Sequence, residues 1–283
     1  MKKFKLVGVP EHFNYPWHLC FQAGEFQSAG IDLHWQDVPE GTGKMCEMLR
    51  SGEADIAVIL TEGIVRDIIN GNKSSIVQVY VESPLIWGIH VSAGSKFQHL
   101  ADLKDAKVAI SRPGSGSQLM AYVNAANQGW PPEELEFVTV NTIDGAVEAL
   151  SNGQAEYFMW ERFMTQPLVD KGIFRRIADC PTPWPCFVIA VRNEVIETCT
   201  LEIKNVLRII NDKTRRFKEI PNISFTLADK FNQRQEDISE WLTLTSWSEK
   251  QLTDDMLNKV QNELVNLRLI DKKATFTQIV KDV

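Results

Sequence analysis

Apolar and polar positions in this chain follow two rhythms that take turns. Residues 5–10 read as a strand that runs into a loop, Glu11-His-Phe-Asn-Tyr15. Pro16 suits a first helical turn, and the helical period holds through Ser28, closed by Gly30. Residues 31–38 alternate as a half-buried strand should, before the turn-rich loop Pro39-Glu-Gly-Thr-Gly43. A helix over 44–50 stops at Gly52, and 54–60 is a short apolar strand. Thr61-Glu-Gly63 then opens a helix to Ile69. Strand and helix repeated three times predict an α/β unit, a mainly parallel sheet flanked by helices.

A shift of 101 residues repeats the pattern. Val7-Gly8-Val9 falls on Val108-Ala109-Ile110, and Leu49, Gly52, Ala54 and Asp55 fall on Leu150, Gly153, Ala155 and Glu156. Gly43 and Gly145 correspond one residue out of phase. Two blocks at one offset imply a structural duplication. Two lobes are therefore expected, 1–88 with 190–283 and 89–189. Residues 77–91 would pass between them and 187–191 would return, making a hinge.

In open α/β sheets, ligands lie beyond the carboxyl ends of strands. Those ends are 12–15, 39–43 and 61–63 in the first half, and 111–117, 141–145 and 160–163 in the second. With the lobes facing each other, these loops would surround one cleft. Residues 201–220, 226–244 and 253–269 have helical period, and Ser248-Glu-Lys-Gln251 reads as a capping box before the last. They form a C-terminal helical extension expected to pack on the first lobe.

The richest candidate chemistry is Ser111-Arg-Pro-Gly-Ser-Gly-Ser117, between the strand at 107–110 and a helix at 118–126. Gly114 and Gly116 allow close approach. Ser111, Ser115 and Ser117 add hydroxyls, and a helix start offers unpaired N–H groups and partial positive charge. The turn reads either as a cradle for an anionic group or as an ordinary Ser N-cap.

Composition narrows the classes. A net charge of −7 argues against nucleic acid and anionic membranes as main partners. No apolar run approaches the roughly 20 residues a membrane helix needs. Met1-Lys2-Lys3 leads straight into a strand without an apolar leader. The expected location is cytoplasmic if Met1 is the native start, and periplasmic or cell-surface if the chain begins at a mature terminus. The five cysteines lack metal-ligand spacing and read as buried free thiols, with a Cys180–Cys186 disulfide as the alternative across a Pro-rich turn.

The pattern resembles the type II periplasmic-binding-protein fold, in the group of nitrate, sulfonate and taurine receptors and thiamine-precursor proteins. The residues that carry the resemblance are the block from Gly43 ending Leu49-Arg-Ser-Gly-Glu-Ala-Asp55-Ile-Ala57, then Leu100-Ala-Asp-Leu-Lys-Asp-Ala-Lys-Val108 before Gly114-Ser-Gly116, and Ala149-Leu-Ser-Asn-Gly153 leading to Trp160-Glu161. It spans residues 4–220. It implies that the loops named above bind the ligand and that Gly-Ser-Gly meets its anionic or polar end. The cysteine run of the pyrimidine synthases in this group is not matched by 180–186.

Each remaining candidate has a structural alternative. Trp160 would stack on a ligand or fill the lobe interface, and Glu161 would accept from an amine or lie solvated. Thr61 and Glu62 hold the equivalent end in the first lobe. His12, Phe13, Asn14 and Tyr15 form an aromatic, hydrogen-bonding loop. Thr42 is a small donor between two glycines, Trp184 would cap the cleft or stiffen a Pro-rich turn, and Asn141 is ambiguous. Ser83-Pro84 and Trp87 would line the hinge side. Serines favour an anion and Glu62 and Glu161 an amine, so an anionic, zwitterionic or pyrimidine-like ligand is expected.

No nucleophile elbow, phosphate-binding loop or His-Glu metal motif occurs, so no catalytic residue, metal or cofactor is expected. The leading expectation is a monomeric solute receptor that passes its ligand to an ABC permease. A cytoplasmic enzyme on the same fold, with His12 or Glu62 as general base, is the alternative. A sensor domain ranks last.

Overall fold

The computed structural model describes residues 3–283. Met1 and Lys2, and with them the start of the chain read above, lie outside the described residues. The first stretch contains β1 (Lys3–Gly8), α1 (Tyr15–Gln22), α2 (Glu25–Ser28), β2 (Asp32–Asp37), α3 (Thr42–Ser51), β3 (Ile56–Leu60), α4 (Thr61–Ile69) and β4 (Ser74–Val81). The second contains β5 (Ile86–Ser92), β6 (Val108–Ile110), α5 (Gly116–Gln128), β7 (Phe137–Thr139), α6 (Ile143–Ser151), β8 (Tyr157–Glu161), α7 (Arg162–Asp170) and β9 (Phe174–Pro181). The chain ends with β10 (Phe187–Arg192), α8 (Asn193–Thr198), α9 (Thr200–Arg216), α10 (Ile223–Phe231), α11 (Gln235–Leu244), α12 (Asp254–Asn266) and α13 (Phe276–Ile279).

The chain divides into two compact units. Unit 2 runs from Leu85 to Thr182, and unit 1 takes the rest. The breaks fall earlier than the expected 88/89 and 189/190, because β10 pairs along its whole length with β3 and β4 and so belongs to unit 1. The two crossings are tied together on both sides of the break. Cys186 N–H donates to Ser83 O (3.2 Å) in unit 1, and Thr182 N–H to Leu85 O (2.9 Å) in unit 2.

The duplication is carried by the topology. Sheet 1 has the order β2-β1-β3-β10-β4 and sheet 2 the order β7-β6-β8-β5-β9. In each, three strands pair in parallel and the fourth place is taken by an antiparallel strand that belongs to a crossing. The offset of 101 residues maps β3 onto β8 and α4 onto α7 without slippage. Both sheets are apolar in the middle: Ile56, Ala57, Val58 and Ile59 are buried in one, Tyr157, Phe158 and Met159 in the other. Burial on both faces explains the continuous apolar runs.

Several local expectations change. The helix expected over 16–28 breaks at Gly24, whose φ of 64° ends α1 and begins α2. Residues 226–244 form two helices because Asn232 adopts a left-handed conformation (φ 51°) between them. Ser248–Gln251 is not a capping box. Thr253 caps α12 through Met256 N–H, while Ser248 N–H and Lys250 O bond to Tyr80 and Val79 along β4. The stretch is extended because that edge strand supplies its partners. No disulfide links Cys180 and Cys186: all five cysteines are free and buried. Cys180 sits in sheet 2 and Cys186 at the entrance to β10 in sheet 1. Among the described residues no helix is long and apolar enough to cross a membrane.

Candidate functional site

The strand-end loops of each unit hold the expected residues, in very different states.

In unit 2, β6 ends at Ile110 and the serine turn follows. Gly114 takes φ 74° and is exposed, which a side chain would resist. Ser115 caps α5, accepting from Gln118 N–H at 3.4 Å. Its hydroxyl lies 3.0 Å from that of Ser117, which in turn accepts from Ser111 N–H (2.9 Å) and lies 3.4 Å from the Ser111 hydroxyl. All three serines are buried, and Gly116 is the first residue of the helix. The N-cap reading of this turn is therefore met by Ser115, and the three hydroxyls lie together at the same helix start. Asn141 stands exposed beside it, with φ 62°, its N–H donating to Ser111 O at 3.0 Å. Next to it, Thr142 caps α6 through Gly145 N–H (3.1 Å). A Cβ on Gly145 would sit 2.0 Å from Val140 O, so only glycine fits.

At the end of β8, Trp160 is half-buried and stacks on Phe158 (5.4 Å between ring centres). Glu161 is buried, and its carboxylate accepts from Met164 N–H at 2.6 Å, fixing the first turn of α7. An acidic cap there is favoured by the helix dipole. Sequence inspection missed this role, although an acid before Arg162-Phe-Met164 carries the signal of an N-cap.

In unit 1 most candidates are bound into the protein. His12, Phe13 and Asn14 form a 3-10 turn rather than an open loop, and Tyr15 begins α1. His12 is fully buried, bonded to the Gln233 amide oxygen (3.1 Å) and packed on Phe231 and Trp241. Burial pulls its pKa down to about 4, so the imidazole is neutral. Asn14 donates to Val9 O (2.8 Å), Phe13 O accepts from Tyr80 (2.8 Å), and Tyr15 packs on Phe217. The C-terminal helices thus do more than pad the lobe: they cover this strand end.

Thr61, Glu62 and Trp184 form a second bound group. The Thr61 hydroxyl donates to Pro185 O at 2.6 Å, and the Trp184 indole donates to Glu62 at 2.8 Å. All three are buried. Burial pushes the Glu62 carboxyl up to about 7, against the lowering effect of its hydrogen bonds. This group holds the return crossing against β3 and α4. Thr42 differs. It is the first residue of α3, half-buried, following Gly41 at φ 78°, and the helix start has no side-chain cap.

These two units, each with one five-stranded sheet and a crossing strand in its fourth place, match known structures along the length of the chain. The Candida albicans CA3427 gene product, described as defining a new family with the generic periplasmic-binding-protein fold, superposes with a TM-score of 0.91 at 24% identity, covering 100% of this chain and 97% of that one. This chain has the type II periplasmic-binding-protein fold. The alkanesulfonate-binding protein SsuA from Xanthomonas axonopodis pv. citri, bound to MOPS, shares that fold with a TM-score of 0.84 at 15% identity, covering 99% and 98% of the two chains. A ligand-binding component of an ABC-type import system from Staphylococcus aureus, solved with zinc, follows at 0.78 and 13%, covering 100% and 97%. The family model described as Ca3427-like PBP matches residues 87–180, which is nearly all of unit 2 of this periplasmic-binding-protein fold. No curated protein sequence matches the chain.

Proposed function

We propose that this chain is a small-molecule binding protein, the substrate-binding component of an ABC transporter, that takes up a polar or anionic solute. The observation that carries this reading is the serine turn of unit 2. Three buried hydroxyls and the positive end of a 13-residue helix meet there at the carboxyl end of a sheet. Such an arrangement favours an oxyanion, from a sulfonate, a carboxylate or the acid group of a zwitterion. The sulfonate-binding protein of the same fold supports that choice, having been solved with MOPS.

In this reading Ser115, Gly116 and Ser117 receive the acid oxygens, and Asn141 and Trp160 flank the solute. Glu62, Thr61 and Trp184 fix the return crossing, and Glu161 fixes α7. The enzyme alternative is disfavoured because both candidate bases, His12 and Glu62, are committed to partners inside unit 1.

The test is native mass spectrometry of the purified chain, followed by calorimetric titration with ethanesulfonate, nitrate, glycine and a pyrimidine. One acidic class should bind and raise the melting temperature. If no acid binds, the reading fails.

A further inference from the structure

Trp87 stands at the start of β5 in unit 2 with its polar atom unused. It is 5% exposed, and its indole nitrogen has no hydrogen-bond partner among the described residues. The indoles of Trp184 and Trp247 donate to Glu62 and to Phe13 O. Trp17 and Trp241 are also unpaired, but rings enclose both: Phe26, Trp35 and Tyr80 around Trp17, and His12, Phe13 and Trp247 around Trp241. Leaving a buried donor unpaired is costly, and a tryptophan at a strand end calls for an acceptor.

The sheet register fixes where that acceptor would lie. Trp87 is opposite Glu161, the last residue of β8, and opposite Cys180 in β9. Residues in register project to the same face of a sheet. That face carries α5, which packs on β6 and β8 and whose Asn127 amide lies 3.9 Å from Cys180 Sγ. On the other side of β8, β6 pairs Val108 with Tyr157 and Ala109 with Phe158, so the serine turn leaves β6 near the end of β8 that carries Glu161. From β5 to β6 is two strand spacings, roughly 10 Å. A long indole and the first turn of α5 can therefore both reach a molecule of a few heavy atoms. Trp160 lies edge-on against Trp87, at 6.2 Å between ring centres, and braces it.

We propose that Trp87 is a further solute-binding residue, its indole N–H donating to an oxygen of an acidic group seated at the first turn of α5. The inference rests on the solute-binding reading and sharpens it. An indole is a donor only, so it selects oxygen acceptors and rejects a cationic group at that end of the solute. It also makes unit 2 recognise the acid group from two sides, serine turn and strand β5.

The test compares the whole chain with Trp87→Phe, titrated calorimetrically with ethanesulfonate, acetate and MOPS. The variant keeps an aromatic ring and loses the donor. It should bind roughly ten- to a hundredfold more weakly, as expected when a hydrogen bond to a charged group is lost, with its circular dichroism retained. In the wild type, the Trp87 indole resonance, assigned through its own backbone, should move downfield as the probe is added. Equal affinities and an unmoved resonance at saturation would overturn the inference and leave the solute-binding reading standing. A wild type that binds none of the probes overturns both. Should Trp87→Phe fail to fold, the wild-type resonance alone decides, a shift for the inference and no shift against it.

Discussion

The strand ends of the two units are built from the same pattern and have diverged in what they hold. In unit 1, Leu60 precedes α4 without a side-chain cap, and Thr61 and Glu62 reach to the Pro-rich segment before β10. At the equivalent place in unit 2, Glu161 caps α7 with its own carboxylate. The β1 end of unit 1 is sealed by Gln233, Phe231 and Trp241, whereas the β6 end of unit 2 is a glycine–serine turn with Gly114 and Asn141 exposed. A duplicated unit thus supplies one set of loops that anchors the crossing and another that gathers hydroxyls at a helix start. Position in the repeat predicts where a loop lies but not which of the two tasks it performs.

That contrast can be broken at four points. The largest effect is expected from Trp184→Ala, which empties a fully buried site beside the crossing. Urea unfolding should show a loss of about 3–5 kcal/mol. A loss under about 1 kcal/mol would mean the clamp is not structural.

Next comes pH. The Glu62 pKa is raised to about 7 in the folded chain from 4.5. A raised carboxyl leaves full stability below the lower value and removes it as pH climbs through the upper one. Glu62→Gln keeps an acceptor for Trp184, so it should match the wild type near pH 4 and be more stable above pH 7, by on the order of 2–3 kcal/mol. Thermal melts across that window check this. An unchanged solute affinity is expected, and a tenfold drop would move Glu62 from the clamp to the solute.

Ser117→Ala should act the other way round. It removes the hydroxyl that joins Ser111 and Ser115, costing about 1 kcal/mol of stability and roughly tenfold in affinity for an acidic solute. Thr42→Ala is expected to be the mildest, within about 0.5 kcal/mol of the wild type in urea unfolding, because its hydroxyl makes no helix cap.

Much of the fold was legible in the chain. The recurrence of Leu-x-x-Gly-x-Ala before an acid fixed the repeat, because a helix end, a tight turn and a small packing residue recur wherever a strand re-enters such a sheet. Helix breaks at Gly24 and Asn232 were not legible, since the apolar period runs through them while the backbone does not. The serine turn declared itself by composition. The burial of His12 did not, because its partners Gln233 and Trp241 lie more than 200 residues along the chain, one between α10 and α11 and one within α11, in a stretch that carries no motif. Glu62 and Trp184 were read as separate ligand candidates. Only the folded chain shows that they are bonded to each other.

The most direct measurement is a crystal structure of the chain grown with ethanesulfonate. The solute's oxygens are expected about 2.7–3.2 Å from the Ser117 hydroxyl and from N–H groups in the first turn of α5. A sulfonate bound instead against the Gln78–Asn211 amide pair of unit 1, or a serine turn that stays unoccupied at saturating solute, would contradict the account.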